Sequence, residues 1–138
     1  MSRYLDTSLL VTSISSEAEA GRIQEWMRCS TEEFALSDWS LTEFSSALAV
    51  KRRTGTISAE QYEAATVWFR HFAQSEVDLV SVTRSDFRLA AELAGQWKVR
   101  AGDALHLAIA NAHRFTLCTL DRDQATAGDK AGFSAILI

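Results

Sequence analysis

Proline is absent from the 138 residues, and cysteine occurs only twice. Without proline there is no polyproline segment and no stiff proline-rich linker. Cys29 and Cys118 do not form a CxxC pair, which excludes a zinc ribbon and a disulfide framework; Cys118, inside the apolar run TLCTL, reads as a small hydrophobe. Glycine is also sparse, at six, and neither a GxGxxG turn nor a P-loop occurs. No apolar run approaches the roughly 20 residues that cross a bilayer, and MSRYLDTSLL lacks the apolar stretch of a secretory signal, so a cytoplasmic protein with no membrane partner is expected. Positive charge is not in excess. With 14 Lys and Arg against 18 Asp and Glu, the net charge is -4, which excludes nucleic-acid binding by an overall cationic surface. Lys51, Arg52 and Arg53 form a local basic cluster that reads as a solvated helix end stabilised by the helix dipole, or as a phosphate contact.

What is present is enough apolar residue for a sizeable core, 47% of the chain against 23% charged, and a chain length that fits one domain over residues 1–138. Short β-type runs alternate with longer helical patterns, which predicts an α/β domain with a mainly parallel sheet of about five strands. The expected strands are Arg3 to Leu5, Phe34 to Ser37, Leu79 to Val82, Thr116 to Leu120 and Ser134 to Leu137. Helices are expected over Ser8 to Ile14, Glu17 to Arg28, Leu41 to Arg53, Ala59 to Gln74, Ser85 to Gly95 and Asp103 to His113, with a short one after Asp121. Ser40 with Glu43, and Ser58 with Gln61, fit capping boxes, in which two side chains satisfy the orphan amides reciprocally. Tyr62, Ala65, Phe69 and Phe72 recur at helical spacing as one apolar stripe, and the same spacing puts Trp68 on a different face.

Four carboxylates share a context. Asp6 follows the first strand, Glu43 lies near the start of the helix after the second, Asp103 opens a helix, and Asp121 follows TLCTL. Each alone has a structural explanation as a cap or as negative charge at a helix N-terminus. In an open parallel sheet, however, the crevice beyond the carboxyl ends of the strands is where ligands bind. Like charges about 5 Å apart repel by roughly 3 kcal/mol per pair at an effective dielectric near 20. Protonation relieves such a cluster, and so does a hard divalent cation with oxygen ligands. A bound Mg²⁺ or Mn²⁺ in turn activates water and polarises phosphoryl oxygens, which makes phosphodiester cleavage the chemistry to expect.

The segments YLDTSLL (Tyr4 to Leu10), SLTEFSSAL (Ser40 to Leu48), RAGDALHLAIA (Arg100 to Ala110) and TLDRDQ (Thr119 to Gln124), in that order and spacing, resemble the PIN-domain family, especially its small VapC-type toxin ribonucleases. The similarity runs over essentially the whole chain, although Thr54 to Val77 carries little of it. The resemblance implies a three-layer α/β/α fold, Mg²⁺- or Mn²⁺-dependent endoribonuclease activity on RNA and a cognate antitoxin; a homodimer is also expected. The family's acidic quartet falls on Asp6, Glu43, Asp103 and Asp121 as catalytic and metal-binding residues. Hydroxyls near the site would be Thr7, Ser8 and Thr119. Asp123 matches a variable position, either a water-mediated contact to a second metal or a solvated helix residue.

Among other residues, His106 stands three positions after Asp103, a spacing that could make a metal-ligand pair, but a single histidine between leucines reads first as packed or hydrogen-bonded. Trp39 reads as core, and Trp68 as a contact to a second copy or to the antitoxin. Two alternatives to the nuclease are a non-catalytic PIN-like module binding RNA or protein, and a receiver- or phosphatase-type acidic pocket. The receiver reading wants two adjacent acids after the first strand and a late lysine in strand context, whereas this chain has Asp6 alone there and Lys130 outside any such context.

Overall fold

A computed structural model describes residues 2–138. In chain order the elements are β1 (Arg3–Leu5), α1 (Thr7–Ser13), α2 (Glu19–Cys29), β2 (Phe34–Ser37), α3 (Asp38–Arg53), α4 (Ala59–Ser75), β3 (Asp78–Val80), α5 (Arg84–Gln96), α6 (Ala101–Ala112), β4 (Thr116–Thr119), α7 (Arg122–Lys130) and β5 (Ala135–Leu137). The strands form one sheet in the order β3-β2-β1-β4-β5, and every pairing is parallel. This is the expected α/β architecture.

Alternation along the strands divides the interior in two. Tyr4, Ala35, Val80 and Leu117 pack with α5, α6 and α7. Their neighbours Leu5, Leu36 and Cys118 pack on the opposite face with α1, α2, α3 and α4. Helices therefore cover both faces of the sheet, which makes the three layers. Leu9, Leu10, Ile23, Leu107 and Ile109 are almost fully buried, each side chain contributing about 1.5–3 kcal/mol of hydrophobic stabilisation. Among the described residues, no helix is long and apolar enough to cross a membrane.

Three local expectations are corrected. The helix after β2 begins at Asp38 instead of Leu41, because Ser37 is its cap: Ser37 and Ser40 form a reciprocal capping box. Glu43 is thereby released from the cap that the Ser40–Glu43 spacing predicts. The Ser58–Gln61 box forms as expected. Helix α6 begins at Ala101, after an extended Arg100, so Asp103 sits inside its first turn. Finally, Trp68 is not set apart from the apolar stripe. Its ring stacks on Phe72, four residues on, with centroids 5.2 Å apart, and tilts against Phe44 and Phe69.

Candidate active site

Parallel strands all end at one edge of the sheet, and that edge collects the acids. The chain leaves β1 at Asp6, which is 3% exposed. Its Oδ2 accepts from the backbone N–H of Ser8 at 3.2 Å and from the Ser8 hydroxyl, capping α1. Thr119 Oγ1 donates to the same oxygen at 3.3 Å, and Gln124 Nε2 lies 3.4 Å from the other. At the end of β4, Asp121 caps α7 by accepting from the amides of Asp123 at 2.9 Å and Gln124 at 3.3 Å. The Asp121 amide in turn donates to Thr119 Oγ1 at 2.9 Å. Glu43 projects from the second turn of α3 and Asp103 from the first turn of α6. The capping readings of Asp6 and Asp121 therefore hold, and capping one helix does not prevent a carboxylate from also facing its neighbours.

The other three carboxylates all act on Asp103. Burial pushes the Asp103 carboxyl up to about 6, with the charges of Asp6 and Asp121 next in importance, Glu43 adding in the same sense and His106 opposing. Ligand atoms of Asp6, Glu43 and His106 lie within 4.8 Å of one another. A cleft of about 590 Å³ is lined by Asp6, Thr7, Ser8, Glu43 and Asp103. A second cleft, of about 490 Å³, holds Asp103, Asp121 and Asp123 opposite Trp97 and Lys98. Asp103 and Arg100 line both, so Asp103 stands where the two meet. Asp123 is exposed and ion-paired with Lys98 at 3.5 Å, a surface contact of little energetic weight.

His106 is the residue whose place the sequence does not reveal. Its ring is fully buried. Nδ1 lies 2.8 Å from the Tyr4 hydroxyl, which reaches Ser37 Oγ at 2.7 Å. Nε2 lies 2.9 Å from Glu43 Oε1, 3.3 Å from Thr7 Oγ1 and 3.6 Å from Asp6 Oδ1. An ionised carboxylate can only accept, so Nε2 carries the proton directed at Glu43. Burial disfavours the imidazolium, but the Tyr4 oxygen, Glu43 and Asp6 outweigh it and raise the His106 pKa. Burial likewise works against ionised Glu43, and hydrogen bonding to His106, its charge and Thr7 outweigh it, holding the Glu43 carboxyl below its ordinary range. Gln124 is a second unforeseen member: fully buried, it donates to Asp103 O at 3.1 Å as well as reaching Asp6. The signal for His106 was a polar side chain within an apolar stretch, which reports burial and names no partner; Gln124, in the polar run DRDQATAGDK, gave no such signal.

The donor set fits a hard divalent cation. Asp6, Glu43, Asp103 and Asp121 offer carboxylate oxygens whose mutual repulsion is visible at Asp103, and oxygen-rich sites of this kind suit Mg²⁺ or Mn²⁺. The sequence profile of the PIN domain matches residues 3–130. No curated protein matches the chain. Among solved structures, the chain is similar to VapC20 of Mycobacterium tuberculosis, described as a sarcin-ricin-loop-cleaving toxin, with 19% identity, a TM-score of 0.72 and 99% of each chain covered. It is also similar to VapBC2 from Rickettsia felis bound to a promoter DNA fragment, at 15% identity and TM-score 0.70, covering 99% of this chain and 98% of the other. VapBC-5 from M. tuberculosis, a member of the VapBC toxin-antitoxin family, gives 18%, 0.66, 99% and 98%. At these identities the likeness establishes the fold.

Proposed function

Since the chain belongs to the PIN domain family, we propose that it is a Mg²⁺- or Mn²⁺-dependent endoribonuclease toxin that hydrolyses RNA phosphodiester bonds and is neutralised by a cognate antitoxin. The observation that carries this reading is the gathering of acids from distant segments at adjoining clefts, Asp6, Glu43 and Asp103 in one and Asp103 and Asp121 in the other, with burial and then the charges of Asp6 and Asp121 raising the Asp103 carboxyl. The toxin-antitoxin descriptions of VapBC2 and VapBC-5 support the partner, and the toxin VapC20 supports the RNA substrate.

In this reading Asp6, Glu43, Asp103 and Asp121 hold the cation, which when bound supplies positive charge against the phosphate and lowers the pKa of a water. The protein's own part is to keep the carboxylates ionised and fixed. Ser8 and Thr119 hold Asp6 through Oδ2, Thr7 supports Glu43, and Asp123 stays at the rim of the second cleft. Arg100, beside both clefts, offers a cation to a flanking phosphate. The reading places the protein in the cytoplasm, over one domain. It includes a homodimer, supported by Phe87, which is 56% exposed beside the apolar surface of Ala91 and Ala94.

Cleavage of RNA by the purified chain, with and without Asp6→Asn or Asp103→Asn, tests the proposal. Both variants should be folded and inactive, and excess EDTA should stop the wild type. Turnover that survives EDTA would refute the metal-dependent mechanism, and metal-loaded protein that binds RNA without cutting it would establish a binding module instead.

A further inference from the structure

Glu43 depends on a buried chain of hydrogen bonds that runs through the middle of the protein. It begins at Ser37 Oγ, the α3 cap, passes 2.7 Å to the Tyr4 hydroxyl and 2.8 Å to His106 Nδ1, and leaves from Nε2 at 2.9 Å to Glu43 Oε1. Every member before Glu43 is almost completely buried. A buried polar side chain without a partner is costly, so each group in such a chain constrains the next. The Nε2–H donates to Glu43 whether the imidazole is neutral or charged, because in either state Tyr4 engages Nδ1 and the carboxylate has no proton to offer. With its Nε2 lone pair replaced by a proton, His106 is not a metal ligand while it holds Glu43. The other Glu43 oxygen, Oε2, is bounded by Gly102, where an added β-carbon would come within 2.8 Å of it.

We propose that His106 is a positioning residue of the acidic site, its Nε2–H fixing Oε1 of Glu43 so that Oε2 remains for the cation, with the Tyr4 hydroxyl holding the imidazole from behind. The inference rests on the metal-dependent reading of the same acids. Hydrogen-bond partners behind metal ligands typically carry 10- to 100-fold of metal affinity, and this chain supplies one made from three elements, β1, β2 and α6, behind a carboxylate on α3. It also gives Tyr4 a role that packing does not demand, since a phenylalanine would fill the same space.

The test is Mn²⁺ affinity of the full chain by isothermal titration calorimetry, with RNA-cleavage kcat and KM measured alongside. His106→Leu should weaken Mn²⁺ binding by about 10- to 100-fold and lower kcat in step, leaving KM for RNA within about twofold. His106→Gln, whose amide N–H can replace Nε2–H, should recover most of that loss. Tyr4→Phe should fall between the two, because the ring stays but one of its restraints is gone. A folded His106→Leu that binds Mn²⁺ within twofold of wild type would overturn the proposal. If His106→Leu does not fold, wild-type Mn²⁺ affinity in Tyr4→Phe overturns it. Wild-type protein that binds Mn²⁺ and leaves RNA intact would defeat the nuclease reading alone, whereas cleavage unaffected by loss of Nε2–H would defeat only the role of His106. No Mn²⁺ binding by the wild type would defeat both.

Discussion

Gly102 and Glu43 lie so close that a β-carbon on Gly102 would fall 2.8 Å from Glu43 Oε2 and 3.3 Å from Trp39 Cζ2. Real β-carbons essentially never come that near another atom, so a side chain here must move something. The movable group is the Glu43 carboxylate, and it is tethered through Oε1 to His106. Gly102→Ala should therefore displace Glu43 and lower RNA cleavage by about 10- to 100-fold, as a misplacement of about 1 Å can. Alanine is the better helix former by up to about 1 kcal/mol, so the melting temperature should hold or rise. A variant that is both stable and fully active would show that Glu43 needs no exact placement.

The raised pKa of Asp103 predicts how stability depends on pH in the absence of cation. A carboxyl pushed from 3.8 to about 6 binds its proton more tightly when folded, so its contribution is complete below pH 4 and is lost as the pH rises through 6. That gap converts to about 3 kcal/mol at full strength; because Asp103 is half-exposed, screening leaves about 1 kcal/mol. The neighbours act outside this window. Glu43, held below 4.5, changes its contribution below that value, and His106, raised above 6.5, changes its own above that one. Urea midpoints in EDTA should fall between pH 4.5 and 6.5, and Asp103→Asn should flatten the slope. With Mg²⁺ present the slope should reverse, since the cation binds the deprotonated carboxylates.

How far the sequence foretold the structure depended on whether each signal was local. The central strands β1, β2 and β4 were plain because parallel, doubly covered strands are short apolar runs, and Asp6 and Asp121 were visible as acids at strand ends. The start of α3 was not. Ser37 and Ser40 are both good caps, three residues apart, and Ser40–Glu43 imitates a capping box; only the extended backbone at Ser37, with φ -126 and ψ 171, decides between them. His106 was hidden for a different reason. Its neighbours Leu105 and Leu107 announce burial, but its partners Tyr4 and Glu43 stand 102 and 63 residues away, and no local pattern encodes a meeting at that distance. Trp68 shows a third limit: comparison with Tyr62 and Phe69 sets it on another face, but it stands three residues after Ala65 and four before Phe72, spacings that make it a neighbour of the stripe, as the stacking on Phe72 shows.

Gly128 carries a packing requirement independent of the acids. A β-carbon there would sit 2.7 Å from the Ala135 β-carbon and 3.0 Å from Leu107 Cδ2, where α7 crosses β5 and α6. The Ala135 β-carbon is fixed to the backbone, and the Leu107 methyl is almost fully buried with little room to move aside. Gly128→Ala should destabilise the protein by about 1–3 kcal/mol despite the helix preference of alanine, read as a lower urea midpoint with an unchanged slope. The same substitution at Gly102 should leave stability intact, so the pair separates a packing glycine from a glycine that makes room for a carboxylate.

Asp121 performs two tasks that substitution can pull apart. One oxygen, Oδ1, accepts from the amides of Asp123 and Gln124 and caps α7, while its charge reaches Asp103. Asparagine caps a helix about as well as aspartate, but it brings no charge. Asp121→Asn should therefore keep the stability of the wild type to within a few tenths of a kcal/mol, lose Mn²⁺ affinity and RNA cleavage, and let the Asp103 carboxyl move back toward its ordinary range. Asp121→Ala should lose the same activity and about 1 kcal/mol of stability besides. Paired urea titrations and cleavage assays on the two variants check both statements. Equal stability in Asn and Ala variants would mean that the cap contributes nothing, and full activity in Asp121→Asn would remove Asp121 from the metal-binding set while leaving Asp6, Glu43 and Asp103 in it.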